Sequence, residues 1–145
     1  MSPSQVRARR YTFVVEKEGK QLGTFQKVEG LGIETELVEF REGGNNTVKF
    51  LPGSTKYSPV KLSRTFSGDS ALWDWHQEVA RDAQAARARV VIIVKNRAAR
   101  PIARFELTRA WPRKYEGPEL HADGNDVPME SLELAHEGLQ LISVQ

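Results

Sequence analysis

The stretch RVVIIVKN, residues 89 to 96, contains five consecutive β-branched apolar residues. β-Branched side chains favour strands, and this run is too short for a helix of ordinary length. Because both faces of such a strand are apolar, it needs cover on both sides. In a chain of 145 residues, one face can pack on the core and the other on a helix or a neighbouring subunit.

Period-two alternation extends the β pattern along the chain. Tyr11, Phe13 and Val15 alternate with more polar neighbours and predict a strand with one face inward. The basic linker before Pro101 predicts a hairpin, and the strand after it is predicted to end at Trp111. The fold class is therefore mainly β, either a β-barrel or two packed antiparallel sheets. The other predicted strands lie within residues 20–30, 32–42, 60–66, 101–111 and 131–144.

The period changes to that of a helix over residues 69–84. Asp69 or Ser70 is expected to cap the first turn by accepting a backbone hydrogen bond. Trp73 lies off the apolar face, which indicates contact with another protein. Four residues follow the i, i+3, i+4, i+7 spacing of an apolar helix face: Leu72, Trp75, His76 and Val79.

Composition excludes several classes of protein. The chain has no cysteine, so neither disulfides nor thiolate metal sites are available. The net charge is only +2, too small for a nucleic-acid-binding protein with a large basic field. No apolar run reaches the length of about 20 residues that spans a bilayer. Residues 1–10 are a basic arm without a secretory signal, so we expect assembly in the bacterial cytoplasm.

No recognised catalytic or metal-binding spacing is present, so the sequence predicts neither an enzyme nor a cofactor. The remote alternatives are a ligand-binding β-barrel and a hydrolase that uses the carboxylates of Glu34, Glu36 and Glu39. A strand of spaced glutamates is more often a solvated or salt-bridged face.

Several stretches together resemble the tail tube proteins of contractile phages and of phage-tail-like contractile injection systems. They are VEGLGIETELVEFREGGNN (28–46), LPGSTKYSPVKLSR (51–64), LWDWH (72–76) and AWPRKYEGPELHADGNDVPMESLELAHEGL (110–139). The resemblance spans residues 11 to 142. The order and spacing of these stretches, which end in E-x-L-E-L-A-H-E-G-L, make the combination specific.

The resemblance implies a single tail-tube domain over 1–145, similar to the type VI secretion tube fold, that assembles as stacked six-membered rings around a channel. The subunit is not an enzyme in this family. The expected partners are other copies, the sheath, baseplate and tube-initiator proteins, a tail terminator or cap, and DNA or effector cargo in the lumen. No membrane insertion is expected. A tube-initiator paralogue, which joins the baseplate hub to the tube, is the alternative.

The resemblance also implies that residues 40–57 form an extended loop or hairpin between subunits. The sequence agrees, because the glycines and asparagines of this segment permit defined bends. A loop that faces only solvent would not need the apolar residues Val48, Phe50 and Leu51. Pro52 and Gly53 are expected to form the return turn. The predicted interface residues are Phe40, Arg41, Gly43, Gly44, Asn45, Asn46, Val48, Phe50, Leu51, Pro52 and Gly53.

Overall fold

A computed structural model describes residues 11–44 and 46–144. This part of the chain is mostly strand with a single helix, which confirms the predicted fold class. The basic arm at 1–10 lies outside the described residues. In chain order the elements are β1 (Thr12–Lys17), β2 (Lys20–Phe25), β3 (Lys27–Glu29), β4 (Ile33–Arg41), β5 (Val48–Tyr57), β6 (Val60–Thr65), α1 (Ala71–Arg81), β7 (Ala88–Lys95), β8 (Pro101–Glu116), β9 (Met129–Ala135) and β10 (Gly138–Ser143).

Seven antiparallel strands form one path, in the order β2-β1-β7-β8-β9-β6-β3, and an eighth strand, β10, pairs with β8 off this path. The long strand β8 belongs to two sheets, because its first half pairs with β7 and β10 and its second half with β9. The change occurs at Arg109, whose φ of 49° is unusual for a non-glycine residue. The prediction that this strand ends at Trp111 is wrong. Pro112 is tolerated because the second half of β8 pairs on one side only.

A second corner joins the two ends of the strand path. The sequence predicts one strand over 20–30, but the chain breaks at Gln26, so that β2 and β3 lie in different sheets. The backbone N–H of Gln26 donates to the carbonyl of Ser63 at 3.0 Å, and its side-chain oxygen accepts from the backbone N–H of Thr65 at 2.7 Å. These bonds satisfy backbone groups that leave the ladder at the corner.

The core lies between the two sheets and the apolar face of α1. Leu72 and Trp75 are buried as their helical spacing predicts, and the indole N–H of Trp75 donates to the carbonyl of Ala86 at 2.7 Å. Trp73 is half exposed on the other side of the helix. The largest apolar side chains of the strands that are fully buried are Phe25, Leu62, Ile92, Leu107, Leu132, Leu134, Val15, Val60 and Val90.

The helix is shorter than the predicted span of 69–84. At its start, the Asp69 side chain accepts from the backbone N–H of Ala71 at 2.9 Å, whereas the Ser70 hydroxyl makes no capping bond. At its end, the side chain of Asp82 accepts from the backbone N–H groups of Gln84 and Ala85. Such a local turn competes with further helical hydrogen bonds, so α1 stops at Arg81.

One buried ion pair interrupts the apolar packing. Arg64, the exception in the alternation of residues 60–66, donates through Nε to Glu130 at 2.8 Å, and both side chains are buried. The hydroxyl of Tyr115 donates to the other carboxylate oxygen of Glu130, also at 2.8 Å. Burial, together with this hydrogen bond, raises the pKa of Tyr115 to about 12.

Candidate subunit interface

Strands β4 and β5 form a two-stranded hairpin separate from the main sheets. Every residue of β4 is exposed, and so is every residue of β5 except its two ends. The chain reverses at Gly43 and Gly44, where Gly44 has a φ of 78° that favours glycine. The segment predicted as an extended loop or hairpin over 40–57 is therefore part of a longer hairpin, which begins at Ile33 and projects from the body.

A β-bulge lies inside the hairpin. Thr35 faces Thr55 while Leu37 faces Pro52, so one residue of β4 opposes two residues of β5. A Cβ atom at Gly53 would lie 2.8 Å from Val38 Cγ2, which explains the glycine. The prediction that Pro52 and Gly53 form the return turn is wrong, because both lie within β5 and Pro52 is tolerated in a strand that is an edge.

Both faces of the hairpin present apolar side chains to solvent. Cross-strand partners share a face, so Leu37 lies beside Pro52, with Phe50 next along β5 on that face. Leu37 is 68% exposed and Phe50 58% exposed. Val38 and Leu51 pair on the opposite face. Exposed apolar groups on two faces of one hairpin are unfavourable in water, and such a patch indicates an interaction site.

The root of the hairpin is closely packed against the body. Gly30 has a φ of 86°, and a Cβ atom there would lie 2.0 Å from the carbonyl oxygen of Pro59. The Nε2 atom of His136 lies 3.0 Å from the carbonyl oxygen of Ser58, and its ring contacts that of Tyr57 with centroids 5.4 Å apart. His136 lies in the turn between β9 and β10, and its contacts help to hold the hairpin at a defined angle.

Charged groups on the hairpin do not form a catalytic cluster. Glu34 pairs across the strands with Lys56, and strand alternation places Glu39 on the face opposite Glu34 and Glu36. The three carboxylates of the hydrolase alternative are therefore divided between two faces. Among residues 11–44 and 46–144, no three His, Cys, Asp or Glu side chains come together as metal ligands.

The predicted interface residues fall along this hairpin, apart from Asn45, which lies outside the described residues. Phe40 and Arg41 end β4, and Asn46 is an exposed residue before β5. Sequence reasoning missed Ile33, Leu37 and Val38, which are also exposed. The available signal was the lack of a polar face on β4. The predicted residues within β5 are Val48, Phe50, Leu51, Pro52 and Gly53.

No helix in the described part of the chain has the length and apolar character needed to cross a bilayer.

The described residues form a mostly β fold with two sheets and one helix, and solved tail tube and Hcp structures have this fold. The chain belongs to the family described as T4-like virus tail tube protein gp19, whose model matches residues 9–140. This match confirms the resemblance found in the sequence. A search of curated proteins found no match.

Solved structures with the same fold come from contractile injection systems and secretion systems. One is a chain of the PVC sheath–tube complex in the extended state, with a TM-score of 0.79, 23% identity and 99% of each chain covered. Another is a chain of the anti-feeding prophage baseplate, with a TM-score of 0.74, 25% identity, and 94% of this chain and 95% of that one covered. Hcp1 from Flavobacterium johnsoniae has a TM-score of 0.56 at 14% identity, with 90% of this chain and 94% of that one covered.

Proposed function

We propose that this protein is the inner tube subunit of a contractile tail or injection particle. Six copies form a ring, the rings stack, and the hollow stack conducts DNA or a protein cargo. The sheath, the baseplate and a tube terminator or cap are its partners. Assembly takes place in the cytoplasm of the producing bacterium.

The observation that carries the proposal is the hairpin with exposed apolar side chains on both of its faces. A neighbouring subunit in the ring covers one face, and a subunit of the next ring covers the other. Fully burying a large apolar side chain is worth roughly 1.5–3 kcal/mol before ordering costs. One such contact is modest, but repetition around a closed ring and along a stack makes the assembly strong.

The fold and the family support this proposal. The family is one of tail tube proteins, and a similar chain occurs in a sheath–tube complex. Family members are structural subunits, and we propose no enzymatic activity for this chain.

Electron microscopy of the concentrated protein tests the proposal. Stacked rings with a central channel are the expected result. A protein that remains monomeric at high concentration and also when mixed with its own baseplate proteins would overturn the proposal. A monomer in dilute solution decides nothing, because tube growth needs a nucleus.

A tube initiator is the second candidate function, since one similar chain comes from a baseplate structure. Mass spectrometry of purified particles separates the two functions. A tube subunit is present in many rings per particle, whereas an initiator is present in about as many copies as one ring requires.

A further inference from the structure

Two surfaces outside the hairpin have complementary charge. The first is the basic turn, defined as residues 95–100, which joins β7 to β8. The second is the acidic loop, defined as residues 116–128, which joins β8 to β9. They lie at the two ends of β8, whose halves belong to different sheets. The described residues of one chain contain no ion pair between them.

The basic turn is rigid and lacks internal charge partners. The Asn96 side-chain oxygen accepts from the backbone N–H groups of Ala98 and Arg100, both at 3.0 Å, and the Asn96 backbone donates to the carbonyl of Arg100 at 2.9 Å. Arg97 and Arg100 are exposed and form no ion pair within residues 11–44 and 46–144. No Asp or Glu occurs from residue 94 to 103. A turn that is already ordered has a smaller entropy cost on binding.

The acidic loop surrounds an open groove of about 600 Å³. The exposed apolar side chains of Val127 and Met129 line it, and Asp126 and Glu119 stand beside them. Asp123 and Asp126 are exposed and form no ion pair within the described residues. Apolar side chains that lie beside charged ones are common in protein interfaces.

We propose that the basic turn of one copy docks into the acidic loop of the next copy. Ala98 and Ala99 at the tip contact Val127 and Met129 in the groove. Arg97 and Arg100 face Asp126, which lines the groove, and Asp123, which lies three residues before it in the same loop. Because two different surfaces of the same chain meet, the contact is heterologous and generates rings or filaments rather than a closed pair. The proposal rests on the proposed tube function and names a contact that fixes the register between copies.

A charge-swap experiment tests the docking. The basic-turn variant combines Arg97→Glu and Arg100→Glu, and the loop variant combines Asp123→Lys and Asp126→Lys. In each variant like charges oppose each other, so we expect the critical concentration for assembly to rise on the order of a hundredfold. A mixture of the two variants should assemble with alternating copies, and one chain that carries all four changes should assemble as well.

The control variant combines Lys20→Glu and Arg81→Glu, which change the net charge by the same amount as the basic-turn variant. Both residues are exposed and form no ion pair among the described residues. We expect it to assemble like the unaltered protein. Circular dichroism of each monomer confirms that the fold is retained.

The outcomes separate this inference from the proposed function. If the unaltered protein forms no tubes, the proposed function fails. If it forms tubes and the two charge-reversed variants do so at the same concentration, the docking fails. Failure of the mixture to assemble, or equal loss in the control variant, also overturns the docking. Loss in the basic-turn variant that neither the loop variant nor the fourfold change restores, together with binding of a polynucleotide by the unaltered protein and not by the basic-turn variant, would assign the turn to a nucleic acid and overturn the self-contact.

Discussion

Replacement of Phe50 by aspartate should block assembly and leave the monomer folded. Phe50 is 58% exposed, and its full burial is worth roughly 1.5–3 kcal/mol, so covering the exposed part contributes about 1–2 kcal/mol per contact. A buried, unpaired carboxylate adds a cost of several kcal/mol. Together these effects amount to about 3 kcal/mol or more, which raises the critical concentration at least about a hundredfold.

The effect on the monomer should be small. Phe50 faces Glu39 across the hairpin, so a carboxylate at position 50 places two like charges opposite each other. Such a pair costs roughly 0.2–1 kcal/mol and acts only within the hairpin. Far-ultraviolet circular dichroism and the urea midpoint of the core should therefore change little.

Sedimentation of polymer from monomer measures the critical concentration, and electron microscopy identifies the polymer. Phe50→Leu is the apolar control and should assemble within a few-fold of the unaltered protein. Phe50→Lys lacks the repulsion from Glu39 that the aspartate variant has, but it still places a charge against the neighbouring subunit. It should therefore also block assembly. Normal tubes from the aspartate variant would refute the buried contact, and a collapsed monomer would place Phe50 in the core instead.

Three further predictions concern the body of the protein. Gly30→Ala should lower the free energy of unfolding by about 3 kcal/mol or more in urea, because the residue would keep a strained φ and its Cβ would meet the carbonyl of Pro59. Glu130→Ala should cost about 3–5 kcal/mol, since it leaves the buried guanidinium of Arg64 with only the exposed carboxylate of Asp69, 4.0 Å away. In an alkaline titration followed by ultraviolet absorbance, Tyr115 should ionise near pH 12; because the folded state holds this proton more tightly than the unfolded state, stability should fall as the pH rises from about 10 to 12.

Each of these predictions has a matched control. Gly44→Ala has a similar positive φ but no atom within 4 Å of the new Cβ, so it should cost about 1 kcal/mol. If it costs as much as Gly30→Ala, the close approach at the hairpin root is not the cause. The double variant Arg64→Met with Glu130→Leu should recover most of the stability lost in Glu130→Ala, and no recovery would contradict the uncompensated charge. Tyr115→Phe should remove the late absorbance change.

Three surface charges on β7 and β8 form a local network. The hydrogen bond from Arg89 holds the pKa of Glu106 below its usual value, and Arg104 adds a second bond in the same direction. Exposed pairs of this kind contribute little to stability. They keep charged side chains ordered on the open face of the sheet.

The sequence alone determined the class of the fold and part of the exposed hairpin, because the predicted segment 40–57 covers β5 and the end of β4 but not residues 33–39. Strands such as β1 and β7 follow from alternation and β-branched runs, because side chains in a strand point to opposite faces in turn. The burial of Leu72 and Trp75 follows from helical spacing in the same way. The order and spacing of the sequence motifs indicated the family, and the match of the family model to residues 9–140 then showed it.

Only the tertiary structure decided where strands bend and what their charged residues meet. Continuity of β8 through Arg109, the corner at Gln26 and the partner of Arg64 all depend on neighbours that are distant in sequence. Local propensity cannot report such neighbours, since the ladder partners and the burial of a charge exist only once the sheets have formed. The position of Pro52 within a strand was also decided by the tertiary structure. Pairing with β4 sets the bulge beside Pro52, and the Pro-Gly pair by itself does not.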